Sequence, residues 1–271
     1  MRLASVFVDV DGLRVHSYAS GPGNGLPVVL IHGWASSGRM WASTMREALS
    51  DCRCFALDLP GHGRSDKPPK EWYSVPAFGH VIAGFGRRVG VESPAIIGHS
   101  MGATIALQVV SSQSMAVRAL VLVNPVISGR VGLLQWWPEA REAGPLWGVA
   151  RRMWPVVTRV AQQISGRTFG LLPEYVIRNQ ADLASTTADS AMGSLHAVAM
   201  ADIRPSLPAI RIPALVVIGD QDHVVPPMEG IQAASILPQA KLVRLPCGHH
   251  PPDEAPTAYQ EALRAFLEQV A

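Results

Sequence analysis

Pro94-Ala95-Ile96-Ile97-Gly98-His99-Ser100-Met101-Gly102-Ala103-Thr104 runs from an apolar triplet into a Gly-x-Ser-x-Gly turn and on into helix formers. That order is strand, sharp turn, helix, with one hydroxyl at the apex, the arrangement of a nucleophile elbow. The turn strains the serine backbone, and its neighbours must be small, a need that Gly98 and Gly102 meet. The N-terminus of the following helix puts backbone N–H groups and a positive dipole end where an oxyanion would form. Three fixed residues in a chain with 24 glycines are weak evidence alone, so the argument needs an acid and a histidine further on.

Outward from this turn, strands alternate with helical segments. Asp11-Gly12 joins Ser5–Val10 to Leu13–Ala19 as a hairpin. Val28–Ile31 is a continuous apolar run, as in a strand buried on both faces, and ends at His32-Gly33-Trp34. Ser36-Ser37 caps a helix through Leu49. Phe55–Leu57 ends at Asp58 and the turn-rich Pro60–Asp66, Pro76–Val89 is helical, and Ala119–Val123 closes at Asn124-Pro125. Past residue 204, Ala214–Ile218 and Lys241–Leu245 are strands, while Pro227–Leu237 and Thr257–Val270 are helices. The spacing predicts an α/β fold with a mostly parallel sheet and the hairpin at one edge.

Between Val126 and Arg204 the strand signal stops, and four of the seven tryptophans lie there: Trp136, Trp137, Trp147 and Trp154. We expect a helical cap over residues 126–204, inserted into a core formed by 1–125 and 205–271. A membrane-surface anchor is disfavoured because the Arg and Glu residues do not sort onto one basic face.

The chain has 271 residues, 48% of them hydrophobic, and a net charge of +2, which gives no case for nucleic acid. Cys52, Cys54 and Cys247 are an odd count with no zinc-ligand spacing, so neither a disulfide framework nor a metal is expected. There is no signal-peptide pattern or membrane span, and the expected location is cytoplasmic.

The candidate chemistry gathers where an open α/β sheet binds ligands, at the carboxyl ends of its strands. Ser100 follows one strand, Asp220 and Asp222 another, His249 and His250 a third, and Trp34 a fourth. A histidine can take the Ser100 proton and return it to a leaving group, and an aspartate can fix the imidazole tautomer. The Met101 and Trp34 amides would form the oxyanion hole.

At this point the chain resembles the capped, esterase-like members of the α/β-hydrolase superfamily. His32-Gly33-Trp34 is similar to the family's oxyanion loop, Asp58–Ser65 to its loop after the fourth strand, and Gly98–Gly102 to its elbow. Gly219-x-x-Asp222-x-x-Val225-Pro226 and Gly248-His249-x-Pro251 are similar to its acid and histidine motifs. The resemblance implies an eight-stranded α/β-hydrolase fold and favours Asp222 over Asp220 and His249 over His250. It implies a cofactor-free hydrolase of small-molecule esters, thioesters or lactones. The tryptophan-rich cap suggests an apolar substrate moiety, bound by Trp34 together with the cap's Trp136, Trp137, Trp147 and Trp154. Other readings with the same triad are a C–C bond hydrolase, a perhydrolase and a non-catalytic ligand receptor. The oligomeric state is left open.

Overall fold

A computed structural model describes residues 3–129, 148–149, 151–156, 158–160 and 173–271. Its centre is an eight-stranded sheet: β1 (Ala4–Val10), β2 (Leu13–Ser20), β3 (Pro27–Ile31), β4 (Arg53–Leu57), β5 (Ala95–His99), β6 (Ala119–Val123), β7 (Ala214–Gly219) and β8 (Ala240–Leu245). The spatial order is β1-β2-β4-β3-β5-β6-β7-β8. Strands β3 to β8 pair in parallel, and the β1-β2 hairpin joins β4 antiparallel, at one edge as expected. Cys52 falls one residue before β4 and Cys54 within it; among the described residues all three cysteines are free.

The continuous apolar runs have the cause anticipated for them. In β5 all five residues are buried, with Ile96 packed into one core and Ala95 and Ile97 into the other. Helices α2 (Val75–Arg88) and α3 (Met101–Ser111) cover the first face with Phe78, Ile82, Phe85, Ile105 and Leu107. Helix α1 (Ala42–Glu47) and the closing helix α8 (Pro256–Leu267) cover the second with Met45, Tyr259, Leu263 and Phe266. Between β6 and β7 the insertion carries α4 (Pro173–Ser185) and α5 (Ala188–Ala199), and α6 (Pro227–Ile236) and the short α7 (Pro251–Glu254) follow β7 and β8. Among the described residues no helix is long and apolar enough to cross a membrane.

The chain leaves β3 toward β4 on one side and returns as β5 on the other. Such a switch point opens a crevice at the strand ends, and here it lies between the Gly33-Trp34 loop and Ser100. Close packing at the elbow is severe. A Cβ on Gly98 would stand 2.4 Å from the Gly102 carbonyl oxygen and 2.7 Å from the Ala103 Cα, and one on Gly102 would stand 2.3 Å from the Ile31 carbonyl oxygen. These neighbours are backbone and cannot rotate away. Gly98→Ala is therefore expected to cost about 3 kcal/mol, the upper part of the overpacking range, read as a lower urea midpoint. A midpoint equal to the parent's would show that the helix can slide off the strand.

Candidate active site

Ser100 sits at φ 53°, ψ −118°, a conformation that side-chain-bearing residues seldom adopt and that local packing must enforce. Its amide donates to the Val123 carbonyl at 2.9 Å, pinning the elbow to the end of β6. The residue is 7% exposed, on the rim of the crevice. Met101 is the first residue of α3, so its N–H is one of the helix's unpaired donors. A Cβ on Gly33 would lie 3.3 Å from the Ser100 Cβ, so the loop after β3 runs directly past the serine.

That loop is held from beneath. His32 donates from Nδ1 to the Gly33 carbonyl at 2.7 Å and accepts the Leu59 amide on Nε2 at 3.0 Å, which fixes its tautomer. Trp34 is 39% exposed, and its indole N–H donates to the Ala191 carbonyl of α5 at 2.6 Å, joining this loop to the insertion.

The structure brings Asp222 and His249 together. Asp222 Oδ2 accepts from His249 Nδ1 at 2.7 Å, and Asp222 Oδ1 accepts the amides of Val224 and Val225 at 2.7 and 2.9 Å. Asp220 instead pairs with Arg244 at 2.8 Å on the surface. His250 turns away from both aspartates and stacks on His99, with ring centroids 5.0 Å apart. The His249 carbonyl accepts from His99 Nε2 at 2.7 Å and from Asn124 Nδ2 at 2.9 Å. Asn124 also accepts the Gly219 amide, so it ties the ends of β6 and β7 to the histidine loop. Glu254 completes the frame by accepting the Gly248 and His250 amides.

Helix α4 fastens the insertion to both loops. Asp182 accepts from the Ser37 hydroxyl at 2.8 Å and from Arg39 at 2.5 Å, below the Gly33-Trp34 loop. One turn earlier, Arg178 forks onto Asp253, just past the histidines. Buried Glu229 accepts the amides of Ile127 and Ser128 and so anchors the start of the insertion. Of the four insertion tryptophans, Trp136, Trp137 and Trp147 lie outside the described residues. Trp154 is half-buried, donates to the Thr186 carbonyl, and lines a cavity of about 710 Å³ with Lys67, Arg151 and Asp189. Ser100, Asp222 and His249 are not among that cavity's described walls.

Several imidazoles are buried without a route to charge. Burial, reinforced by neighbouring histidines, pushes His62 and His250 down to about 3, and His99 well below the ordinary range. His99 spends its one N–H on the His249 carbonyl, and its Nδ1 has no partner to accept a second proton. Unfolded, each would take up a proton near pH 6.5, while the folded chain holds them neutral. The unfolded state thus binds more protons below that pH, and stability falls as pH falls from about 6.5 toward 3. The three groups together are expected to remove about 4 kcal/mol between pH 7.5 and 5.5, measured by urea titration. An unchanged unfolding free energy over that interval would show that these rings ionise in place.

A family model described as alpha/beta hydrolase fold matches residues 27–256. A pimeloyl-[acyl-carrier protein] methyl ester esterase from Nitrosomonas europaea is 28% identical over 242 residues, covering 84% of this chain and 90% of that protein. The dihydrolipoyllysine-residue acetyltransferase component of an acetoin cleaving system from Cupriavidus necator is 34% identical over 120 residues, 44% of this chain; the match spans 32% of that longer protein. Among solved structures, a malate-bound thermophilic esterase from Thermogutta terrifontis superposes with a TM-score of 0.78 at 25% identity, covering 100% of this chain and 99% of the other.

Proposed function

The chain belongs to the alpha/beta hydrolase fold family, and within it we propose a serine hydrolase that cleaves carboxylic esters, thioesters or lactones through an acyl-enzyme on Ser100. The observation that carries this reading is the 2.7 Å hydrogen bond from His249 Nδ1 to a buried carboxylate, in a loop beside a strained elbow serine. The esterases among the similar proteins support it.

In this mechanism His249 Nε2 takes the Ser100 proton as Oγ attacks the ester carbonyl, while Asp222 stabilises the imidazolium. The Met101 and Trp34 amides receive the oxyanion. The proton passes to the departing alcohol, and water, activated by the same imidazole, releases the acid. No step calls on a cofactor. Residues 126–204 serve as the cap.

The half-exposed Trp34 face beside the crevice supports an apolar substrate moiety, as does the pimeloyl chain in the name of the Nitrosomonas relative. Each buried methylene contributes up to about 0.8 kcal/mol, so kcat/KM on 4-nitrophenyl esters should rise up to about fourfold per added carbon from acetyl toward hexanoyl. A flat series, or a preference for a charged acyl group, overturns the apolar pocket; absence of turnover on the whole series overturns the hydrolase.

A further inference from the structure

At the opposite, antiparallel edge of the sheet, a second hydroxyl, imidazole and carboxylate stand in line. The β1-β2 register pairs Ser5 with Tyr18 and Phe7 with His16, which makes Ser5 and His16 diagonal neighbours on one face. Ser5 Oγ lies 2.5 Å from His16 Nε2, and His16 Nδ1 lies 2.8 Å from Asp58 Oδ2. His16 and Asp58 are fully buried, and Ser5 is exposed.

The proton positions follow from the partners. Asp58 accepts the Gly38 amide at 2.7 Å and the Arg64 amide at 2.8 Å as well as His16. Burial alone would raise its carboxyl, but these donors, His16 first, hold it below the usual range. An ionised Asp58 keeps the His16 proton on Nδ1 and leaves the Nε2 lone pair facing the Ser5 hydroxyl, with Arg64 Nη1 farther off at 3.4 Å. Arg64 adds a charged donor to Ser5 Oγ at 2.6 Å, which favours a developing alkoxide. Around the hydroxyl, Phe7 is 41% exposed, with the Arg14 and Arg64 guanidiniums over its ring at 5.0 and 5.1 Å.

We propose that Ser5, with His16 as its base and Asp58 as the group that orients it, is a second nucleophile, acylated by activated aryl esters independently of Ser100. The Ser5 Oγ–acyl bond forms and the acyl–phenolate bond breaks. The hydroxyl proton moves to His16 Nε2 and from there to the phenolate, which leaves past the Phe7 ring and the two arginines. The product is one acyl ester per chain at Ser5.

The test treats full-length Ser100→Ala protein with 4-nitrophenyl acetate and maps acetylation by peptide mass spectrometry. One acetyl group on Ser5 is expected, with the exposed Ser112 and Ser235 as internal controls. His16→Gln should slow this acetylation about a hundredfold, the usual scale of general-base assistance. Acetylation of Ser5 no faster than at the control serines overturns the proposal, and that readout does not depend on the His16 variant folding. Wild-type ester turnover reports separately on Ser100, so either assignment can fail without the other.

Discussion

Replacing Ser100 with alanine is expected to lower kcat on 4-nitrophenyl butyrate by about 10⁴- to 10⁶-fold, the loss typical of removing a serine nucleophile. The substitution removes one oxygen and keeps the Cβ that the elbow already holds at φ 53°. The Val123 hydrogen bond uses the Ser100 backbone amide, so it survives. Stability should therefore stay within about 0.5 kcal/mol of the parent, and ester binding should persist. The residual rate, from positioning and the Met101 and Trp34 donors, should remain above that in water. Steady-state turnover above about one per cent of the parent would mean that another group attacks the carbonyl, and the proposed acyl-enzyme would have to be abandoned.

Asp222→Asn should lower kcat by about 10⁴-fold while leaving the fold intact. Asp222 Oδ1 takes two backbone amides, so an asparagine at 222 must keep its carbonyl oxygen there. Its NH₂ group then faces His249 Nδ1, where a carboxylate oxygen had accepted a hydrogen bond. To meet that donor, Nδ1 must present its lone pair and the imidazole proton must shift to Nε2. His249 then has no lone pair for the Ser100 hydroxyl. Imidazole proton resonances should report the changed tautomer, and a kcat loss below tenfold would show that Asp222 does not orient the base.

The fold was legible because its central strands are buried on both faces. Val28–Ile31 and Ala95–Ile97 read as unbroken apolar runs, and the buried sheet requires that they be so. The elbow was legible because Gly98 and Gly102 leave no room for any other residue. Motif resemblance, more than chemistry, favoured Asp222 over Asp220. The physical difference lies in tertiary partners: Arg244 holds Asp220, and two amides and an imidazole converge on Asp222.

Asn124 read only as the end of a strand, because the carbonyl that it holds belongs to His249, 125 residues away. The pairing of Asp58 with His16 and of Glu229 with Ile127 was opaque for the same reason, since these partners come from elements distant in sequence. His99 and His32 each donate to a carbonyl of a loop that frames the site, contacts that no spacing in the sequence announces.

Arg178 and Asp182 occupy successive turns of α4, yet one grips the segment after the histidine loop and the other the segment after the Gly33-Trp34 loop. One helix therefore braces both loops of the proposed site at once. Were this helix to lift for cargo to pass, the base and the anion cradle would slacken together. Opening and idling then become one mechanical event, and because these contacts are largely buried, added electrolyte should do little to loosen them.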